Sequence, residues 1–514
     1  MEGLTRSITH VWRLLKWGRV LARHGALTGI ERDPNTPPPV RRLCRLARFG
    51  ARVPDVPRYA EAFQAIGPAA IKLGQALATR PDLVGAAAAH DLALLQDSLP
   101  PAPFDRIRAA IEQGLGRPIE EVFSEIDPEP VGAASIAQVH RAVTTDGRTV
   151  AVKVLRPHIE EDFASAIETY EWAAAQVEAM GGEAARLRPR LVVATFRQWT
   201  NRELDLRQEA ASASELRENL IAETGFFVPE IDWSRTSRRV MTLEWIDGIK
   251  LTDRKKLIEA GHDVKALAAT LVRVFLRQAV VDGFFHADLH QGNLFALPDG
   301  RLAAIDFGIM GRIDRQARIW LAEILYGLLT GNYRRVAEIH FEAQYVPPHH
   351  NMDEFATALR AVGEPMRGLP AKDVSLGQML EGLFKITRDF DMPTQPHLLL
   401  LQKTMVMEEG VATWLDPDIN MWETAEPFLT EWVRSELGPE ARIADEIVRT
   451  VRTLRRLPEL IRRIDHYYPP PGAAPPAPPL PDIPLVVRSY RLWPIVLTAL
   501  LSAAAGVAAT LWLT

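Results

Sequence analysis

The chain has 514 residues, too many for one small domain, and its 47% hydrophobic and 24% charged content is that of a globular protein with sizeable cores. A net charge of −5 gives no reason to expect nucleic acid as a partner. The single cysteine, Cys44, excludes an intrachain disulfide and a cysteine-based metal site.

The N-terminal region, residues 1–55, is basic: residues 1–52 hold eleven Lys/Arg against Glu2, Glu31 and Asp33. Residues 11–23 mix apolar and basic positions at helical spacing. A basic amphipathic helix of this kind is able to lie on an anionic membrane surface. We expect membrane contact here, although the same pattern also suits a helix that packs on the main domain with its basic face in solvent.

Residues 56–128 are predicted to form a helical extension with turns at Gly67-Pro68 and between Pro100 and Pro103. From residue 129 to 245 the pattern is richer in strands, with a hairpin turn at Asp146-Gly147 between two alternating segments. The chain is then predicted to be mostly helical from 246 to 465. The strands and helices expected between 129 and 245 are strands 135–143, 148–155 and 239–244 and helices at about 158–180 and 190–220.

The most informative segment is His286 to Asn293, in which Asp288 stands five residues ahead of the asparagine. Asp306-Phe307-Gly308 follows it after a short strand. Transfer of a γ-phosphoryl group needs a carboxylate at the acceptor and oxygen ligands for magnesium. We therefore predict that Asp288 is catalytic, that Asn293 and Asp306 bind Mg²⁺, and that His286 braces the loop through hydrogen bonds.

The upstream strands supply the other residues that ATP requires. Val150-Ala-Val-Lys153 places a lysine on an apolar strand, where its amine can reach the α- and β-phosphates. Its carboxylate partner is expected from the following helices, and the sequence leaves Glu203 and Glu209 as equal candidates. The strand that ends at Glu244 leads into a predicted hinge whose backbone would bind adenine. The hinge residues are Glu244, Trp245, Ile246 and Asp247.

Two features of a regulated protein kinase are missing. In place of a Gly-x-Gly-x-x-Gly loop the chain has Val131 followed by Gly132, Ala133, Ala134 and Ser135. After Gly308 it enters a predicted helix with no activation segment, and position 287 is alanine, not the arginine that reads activation-loop phosphorylation. These absences favour a small or lipidic acceptor, or plain ATP hydrolysis, over a protein substrate.

The C-terminus is predicted to reach a membrane. Residues 466–490 form a proline-rich linker, with nine prolines between Pro469 and Pro484. Residues 491–514 follow with no charge after Arg491, which predicts one transmembrane helix with the bulk of the chain on the cytoplasmic side. Small residues at Ser502 and Gly506 suit close packing of two such helices, so a homodimer is possible.

The motifs together resemble the UbiB (aarF-domain) family of atypical kinases. Ile71-Lys72-Leu73-Gly74-Gln75 matches the family's Lys-x-Gly-Gln motif, Gly132 to Ser135 stands where the family has an alanine-rich loop, and Glu203-x-Asp205 with Glu209 matches its helix motif. The similarity covers roughly residues 55–420. It implies an α+β, protein-kinase-like fold of two lobes with a helical N-terminal extension, to which we add the C-terminal transmembrane helix.

The resemblance also implies function. In this family the helices that carry Lys72 and Gln75 would fold over the active site, which adds Lys72 to the catalytic residues and Gln75, Glu203 and Glu209 to the ATP-binding ones. It implies Mg²⁺-dependent ATPase activity stimulated by membrane lipids, and a role in ubiquinone biosynthesis at the bacterial inner membrane. The expected partners are ubiquinone precursors or the enzymes that make ubiquinone. Gly132, where the family has alanine, leaves the nucleotide preference open.

Two alternatives remain at the level of sequence. An aminoglycoside- or choline-kinase type shares the Asp-x4-Asn loop, although Lys72, Gly74 and Gln75 argue against it. A pseudokinase scaffold for a lipid-enzyme assembly is the other, and the presence of all the nucleotide residues argues against that. A polyprenylphenol hydroxylase finds no support, because the chain has no flavin fingerprint or iron site.

Overall fold

The structure, a computed structural model, describes residues 2–32, 38–50, 56–78, 84–95, 99–179, 188–367, 385–393 and 396–437, with single residues 54 and 382. The predicted linker (466–490) and transmembrane helix (491–514) lie outside these residues and stay predictions. Among the residues that are described, no helix combines the length and the apolar character needed to span a bilayer.

The chain divides into two compact units. In the described residues, the first unit contains everything up to Ala210 together with Ile231–Trp245, and the second contains Ala211–Glu230 and the chain from Ile246 onward. One boundary thus falls between Trp245 and Ile246, inside the segment predicted to be a hinge. Each unit is described by itself below.

The first unit begins with a group of helices that has its own apolar core. Leu27, Phe63, Ile71 and Leu92 are among the buried side chains of this core. The helices are α1 (Glu2–Arg23), α2 (Thr28–Arg32), α3 (Pro38–Arg48), α4 (Tyr59–Ile66), α5 (Pro68–Ala78) and α6 (Ala86–Leu92).

A second core lies between two helices and a sheet. Buried Ile107 and Ile111 of the first helix pack with Phe123 and Val152 of the strands. These elements are α7 (Phe104–Leu115), α8 (Ile119–Val122), β1 (Phe123–Ile126), β2 (Gly132–Ala133), β3 (Ala137–Thr144) and β4 (Thr149–Leu155). The predicted hairpin of β3 and β4 is present, and Gly147 takes the positive φ of +87° that its turn needs.

The stretch that follows is helical, as predicted, and then returns to the sheet. Its first-unit elements are α9 (Ile159–Ala179), α10 (Pro189–Glu203), the start of α11 (Leu206–Asn219) and β6 (Val240–Glu244), while the rest of α11 and β5 (Phe226–Phe227) belong to the second unit. The antiparallel sheet of the first unit runs in the order β1-β3-β4-β6, with β2 paired to β3. Strand β1 corrects the prediction that residues 56–128 are helical throughout: its four residues are strand because β3 offers them an edge to pair with.

Helix α1 packs against α9 along one face. His10 Nδ1 lies 3.0 Å from Thr169 Oγ1, Arg13 donates to the same oxygen over 2.9 Å, and Leu14 is buried against Ala173. The structure therefore shows the second of the two possibilities that the sequence left open: the N-terminal helix packs on the main domain. The opposite face stays exposed, and Trp12 is 71% accessible there.

The second unit is a set of short strands and helices. Helices make up most of its described residues, which confirms the expectation of a mostly helical segment after residue 246, and its short strands pair as β5-β10-β9-β7 and as β11-β8. The elements are β7 (Ile249–Lys250), α12 (Arg254–Glu259), α13 (Val264–Leu276), a π-helical turn (Arg277–Asp282), β8 (Phe284–His286), β9 (Leu294–Ala296), β10 (Leu302–Ala304), β11 (Met310–Arg312), α14 (Arg315–Thr330), α15 (Tyr333–Glu342), α16 (Met352–Arg367), α17 (Pro396–Leu415) and α18 (Met421–Leu437).

Candidate active site

Lys153 is held in place by a carboxylate of the first unit. The lysine lies on β4 between Val139 of β3 and Met241 of β6. Its Nζ donates to Glu209 Oε1 over 2.6 Å and to Oε2 over 2.9 Å. Both side chains are largely buried, at 14% and 9% exposure, so the charges are shielded from water. The structure therefore resolves the choice left open by the sequence: Glu209 is the partner of Lys153.

The start of α11 places Glu209. Asp205 precedes the helix, and its Oδ1 accepts a hydrogen bond from the backbone N–H of Arg207 over 3.2 Å, as an N-terminal cap does. The Arg207 guanidinium binds both oxygens of Asp205, and this hydrogen bonding lowers the pKa of that carboxyl. Glu209 follows within the first turn. Asp205 of the Glu-x-Asp motif thus fixes the helix end from which Glu209 reaches Lys153.

Glu203, the other candidate, binds the lysine of the helical extension. Lys72 Nζ lies 3.5 Å from Glu203 Oε1, and the two side chains are 10% and 13% exposed. Lys72 projects from α5, and Gln75 lies one turn further along the same helix, half-buried. The two glutamates of the helix motif therefore serve two different lysines.

Gly74 explains why α5 needs glycine beside Lys72. A Cβ at this position would lie 2.4 Å from Leu95 Cδ1 and 2.8 Å from Phe63 Cδ1, both closer than real contacts. Helix α5 therefore approaches α4 and the end of α6 closely at this point. The glycine of the Lys-x-Gly-Gln motif is a packing requirement, which sequence alone did not reveal.

The alanine loop is anchored by a residue that the sequence analysis missed. Arg156 follows β4 and donates from Nε to the Ala134 carbonyl over 2.8 Å. The same guanidinium reaches the Pro100 and Leu99 carbonyls over 2.9 and 3.1 Å. One arginine therefore ties the loop to the segment that precedes α7. No sequence signal marks it beyond its position at the end of a strand.

The remaining loop residues are placed by the sheet. Gly132 and Ala133 form β2 and pair with Val139 and Gln138 of β3, and Ser135 is fully buried. Gly132 does not have a positive φ, and a Cβ there would meet nothing within 4 Å. Backbone strain therefore does not require glycine at this position.

The predicted hinge begins where β6 ends. Glu244 pairs with Val150 in the sheet, and Trp245 donates its N–H to the Thr149 carbonyl over 3.3 Å. Adenine binding by Glu244, Trp245, Ile246 and Asp247 stays a prediction.

In the second unit, His286 braces the catalytic loop. It is fully buried on β8, and its Nδ1 accepts the backbone N–H of Asp288 over 3.1 Å. Because Nδ1 accepts, Nε2 carries the proton and donates to the carbonyl of Asp306. Burial lowers the pKa of His286, which is consistent with this neutral tautomer. One imidazole thus joins the loop of Asp288 to that of Asp306.

The residues predicted to bind magnesium, Asn293 and Asp306, are both hydrogen-bonded to the backbone of the second unit. Asn293 Nδ2 donates to the Asp288 carbonyl over 3.3 Å, and the Asn293 carbonyl accepts from Ile305 N–H over 3.1 Å. Asp306 Oδ1 accepts from Gly308 N–H over 3.0 Å. Asp288, Asn293 and Asp306 are half-buried. Carboxylate and amide oxygens are the ligand types that Mg²⁺ prefers, so these residues fit that ion.

Gln278 is the second residue that the sequence analysis missed. It lies fully buried in the π-helical turn, and its Oε1 accepts the backbone N–H of His286 over 2.9 Å. A polar residue between the apolar stretches 274–276 and 279–281, next to Arg277, was the available signal. Single π-helical turns often occur at functional sites, and here the turn supports the histidine that organises the loop.

The chain after Gly308 has no long activation segment. Strand β11 pairs with β8, Ala287 donates to the Ile309 carbonyl, and Asp314 caps α14 by accepting from Ala317 N–H over 2.9 Å. Only residues 309–314 thus separate the Asp-Phe-Gly turn from a capped helix. The predicted absence of an activation segment is confirmed for this described part of the chain.

Comparison with known proteins identifies the class and then the family. Residues 94–340 match the ABC1 atypical kinase-like domain, which confirms the α+β, kinase-like prediction. Residues 359–420 match the UbiB helical domain. The chain is 41% identical over 386 residues to the "Probable protein kinase UbiB" of Marinobacter nauticus. This similarity covers 74% of this chain and 71% of that protein.

The chain therefore belongs to the UbiB family, as its motifs indicated, and not to the aminoglycoside or choline kinases. Among solved structures it is similar to the chain described as the complex structure of Rv3197–erythromycin from Mycobacterium tuberculosis. That likeness has a TM-score of 0.48 at 24% identity and covers 64% of this chain and 83% of the other.

Proposed function

We propose that this protein binds Mg²⁺-ATP and turns it over in support of ubiquinone biosynthesis. The observation that carries the proposal is the buried ion pair of Lys153 with Glu209, at 2.6 and 2.9 Å. In kinases an ion pair of this kind between strand and helix holds the lysine toward the nucleotide phosphates. A buried lysine on a central strand has no comparable structural purpose, since an apolar residue would pack there at lower cost.

Each unit contributes its own part of this chemistry. In the first, Lys153 would hold the α- and β-phosphates, and the loop from Gly132 to Ser135 would bind the nucleotide through its backbone. In the second, Asn293 and Asp306 would hold Mg²⁺, which when bound neutralises charge that develops on the phosphates. Asp288 orients the acceptor hydroxyl or water and takes its proton.

The acceptor that suits these features is water or a small or lipidic molecule. A protein substrate requires a docking surface, and residues 309–314 are too few to form the segment that supplies it in protein kinases. The buried pair of Lys72 with Glu203 also fixes the Lys-x-Gly-Gln helix within the first unit. Membership of the UbiB family supports ubiquinone precursors, or the enzymes that process them, as partners.

A membrane location is part of this proposal and is supported by a surface of the first unit. We name it the α1–α3 face, and its residues are Trp12, Leu15, Lys16, Arg19, Arg42, Arg45, Leu46 and Phe49. All of these side chains are exposed, with Trp12 at 71%, Leu46 at 67% and Phe49 at 80%. Arg19 donates to the Phe49 carbonyl over 3.4 Å, so α1 and the end of α3 present one surface. Aromatic and basic side chains together suit an anionic bilayer, which we place at the cytoplasmic side of a bacterial inner membrane.

Mg²⁺-dependent ATP hydrolysis by the purified chain, and quinone content of a deletion strain, test the proposal. Lys153→Ala and Asp288→Asn should lose hydrolysis and fail to restore ubiquinone. The matched controls Lys250→Ala and Asp299→Asn change an exposed strand lysine and an exposed turn aspartate and should leave both readouts unchanged. Full restoration of ubiquinone by Asp288→Asn without hydrolysis would instead support a pseudokinase scaffold.

A further inference from the structure

Two adjacent histidines and an aspartate converge in the second unit, away from the catalytic loop residues in sequence. His349 and His350 end the connection between α15 and α16, and Asp391 lies in a turn after the helical residues 385–389. His350 Nε2 is 3.3 Å from Asp391 Oδ2, and His349 Nε2 is 4.0 Å from the same oxygen. One ligand atom from each of the three residues lies within 4.8 Å of the others.

The ring of His350 is held in position by packing. Its centroid lies 5.3 Å from that of Phe390, and Phe390 packs edge-on against Phe355 of the buried core at 4.9 Å. The backbone N–H of His350 donates to the Pro347 carbonyl over 3.2 Å, which closes a turn. The His350 side chain is 19% exposed, and its Nε2 is buried with no hydrogen-bond partner among the described residues. Asp391 Oδ2, at 3.3 Å, is near enough for an ion pair but makes no hydrogen bond with this nitrogen, and a buried nitrogen without a hydrogen bond carries a cost that a ligand would remove.

Asp391 occupies an unfavourable position for an aspartate. Its φ is +49°, and the Met392 N–H bonds back to the Thr387 carbonyl over 2.9 Å, the pattern of a helix C-terminus that normally uses glycine. A carboxylate at the negative end of a helix is also repelled by the helix dipole. Both costs are offset if a cation binds to the carboxylate.

We propose that His349, His350 and Asp391 bind a Zn²⁺ ion. Ligand atoms about 2.0–2.1 Å from a tetrahedral metal lie about 3.4 Å apart, close to the 3.3 Å between His350 Nε2 and Asp391 Oδ2. Imidazole and carboxylate suit zinc, whereas Mg²⁺ prefers oxygen ligands alone. His349 and Asp391 are 66% and 72% exposed, so the ion reaches the site from solvent and water completes its coordination.

A simple ion pair of a protonated His350 with Asp391 is the competing explanation. The two histidine rings lie only 4.2 Å apart by their centroids. Zinc binds neutral imidazoles and can therefore use both rings, whereas the ion pair engages only one of them. The zinc ion would link His350 to Asp391, which lies 41 positions further along the chain. It would thus tie the start of α16 to the turn at Asp391.

The test is zinc binding by the metal-free full-length chain, expressed without a histidine tag and measured by competition with a chromophoric chelator. Wild type should bind one equivalent of Zn²⁺, and its thermal midpoint should rise with Zn²⁺ but not with an equal concentration of Mg²⁺. Asp391→Gly removes the carboxylate but suits the positive φ, so this variant should fold while its zinc affinity falls by at least roughly tenfold. The zinc affinity of His350→Ala should fall by a similar factor.

Asp389→Asn is the matched control, because Asp389 is an exposed aspartate at the end of the same helical segment. It should bind zinc as wild type does. Equal zinc affinity in wild type, Asp391→Gly and His350→Ala would overturn the proposal, and so would the absence of a one-equivalent site in wild type. Because the readout is zinc binding and not ATP turnover, the result is independent of the proposed function.

Discussion

Lys153 and Glu209 form a two-oxygen contact within one unit, while Glu203, six residues before Glu209, binds Lys72 instead. Substitution of the two glutamates should therefore have different effects. Glu209→Gln removes the charge that holds Lys153, and we expect ATP turnover to fall by at least roughly tenfold. Glu218→Gln, an exposed change on the same helix, is the control. Equal turnover in Glu209→Gln and Glu218→Gln would contradict the assignment of Glu209.

Gly74→Ala should destabilise the helical extension. Alanine is intrinsically better in a helix by about 1 kcal/mol, but the added Cβ would meet Leu95 and Phe63 at 2.4 and 2.8 Å. Overpacking of this kind costs about 1–3 kcal/mol, so we expect a net loss of stability in thermal or urea unfolding. Gly132→Ala is the control, since a Cβ there meets nothing and its stability should change by less than about 0.5 kcal/mol.

Arg156→Ala should weaken nucleotide binding more than turnover. The guanidinium is a positioning group that holds the Ala134 carbonyl, and without it the alanine loop loses its anchor to Leu99 and Pro100. We expect the KM for ATP to rise several-fold with a smaller change in kcat, and Arg156→Lys to recover little, because one amine cannot reach three carbonyls in the same geometry. Arg106→Ala, an exposed change on α7, should leave KM unaltered. A parallel fall in kcat and stability with KM unchanged would indicate a purely structural role.

Asp282 should make stability depend on pH. Burial raises the pKa of its carboxyl from 3.8 to about 6, against the opposing charges of Arg277 and Arg318. Between about pH 4 and 6 the native state keeps a proton that the unfolded state has released, so the free energy of unfolding falls as the pH rises through this window. Asp282→Asn has no such proton to lose. The free energy of unfolding of this variant should therefore rise relative to that of wild type by on the order of 1 kcal/mol between pH 4 and pH 6, with allowance for partial screening by solvent.

The control for this effect is Asp299→Asn. Asp299 is exposed, and hydrogen bonds to its oxygens lower the pKa of its carboxyl. The Asp299→Asn substitution should therefore give no gain in the free energy of unfolding between pH 4 and pH 6. Thermal midpoints of the three proteins measured across pH 4–7 provide the comparison, and parallel curves for wild type and Asp282→Asn would refute the expectation.

The α1–α3 face should bind anionic vesicles. In a chain that ends after residue 437, and so lacks the predicted transmembrane helix, cosedimentation should be strong with phosphatidylglycerol vesicles, weak with phosphatidylcholine vesicles, and reduced by salt. The double variant Trp12→Ala/Phe49→Ala should bind several-fold less. Ile221→Ala, which removes an apolar side chain that is 86% exposed in the second unit, should bind as the unsubstituted chain does.

The parts of this structure that follow from local pattern could be predicted from the sequence. The β3–β4 hairpin follows from alternation and an Asp-Gly turn, and the loop of His286 and Asp288 follows from residue types at fixed spacing. Features that depend on distant partners could not be predicted in this way. The strand character of Phe123–Ile126 depends on its pairing with β3.

The choice of ion-pair partners shows the same limit. Glu203 and Glu209 are alike in sequence, and only the packing of α5 and β4 assigns one to Lys72 and the other to Lys153. Arg156 had no visible signal because its acceptors are backbone carbonyls, which every residue has. Pairing of this kind is a property of the folded chain and not of a motif.

The buried pair of Lys72 with Glu203 has a consequence for how the gene can be shortened. The family match begins at residue 94, which invites expression of a chain that starts there. Such a chain would lack Lys72 and α5, and it would leave the carboxylate of Glu203, now 13% exposed, without that countercharge near the start of the helix that carries Glu209. Loss of one partner of a buried pair is strongly destabilising. We therefore expect a chain that starts at residue 94 to be less stable than the whole protein, because the helical extension supplies the countercharge of Glu203.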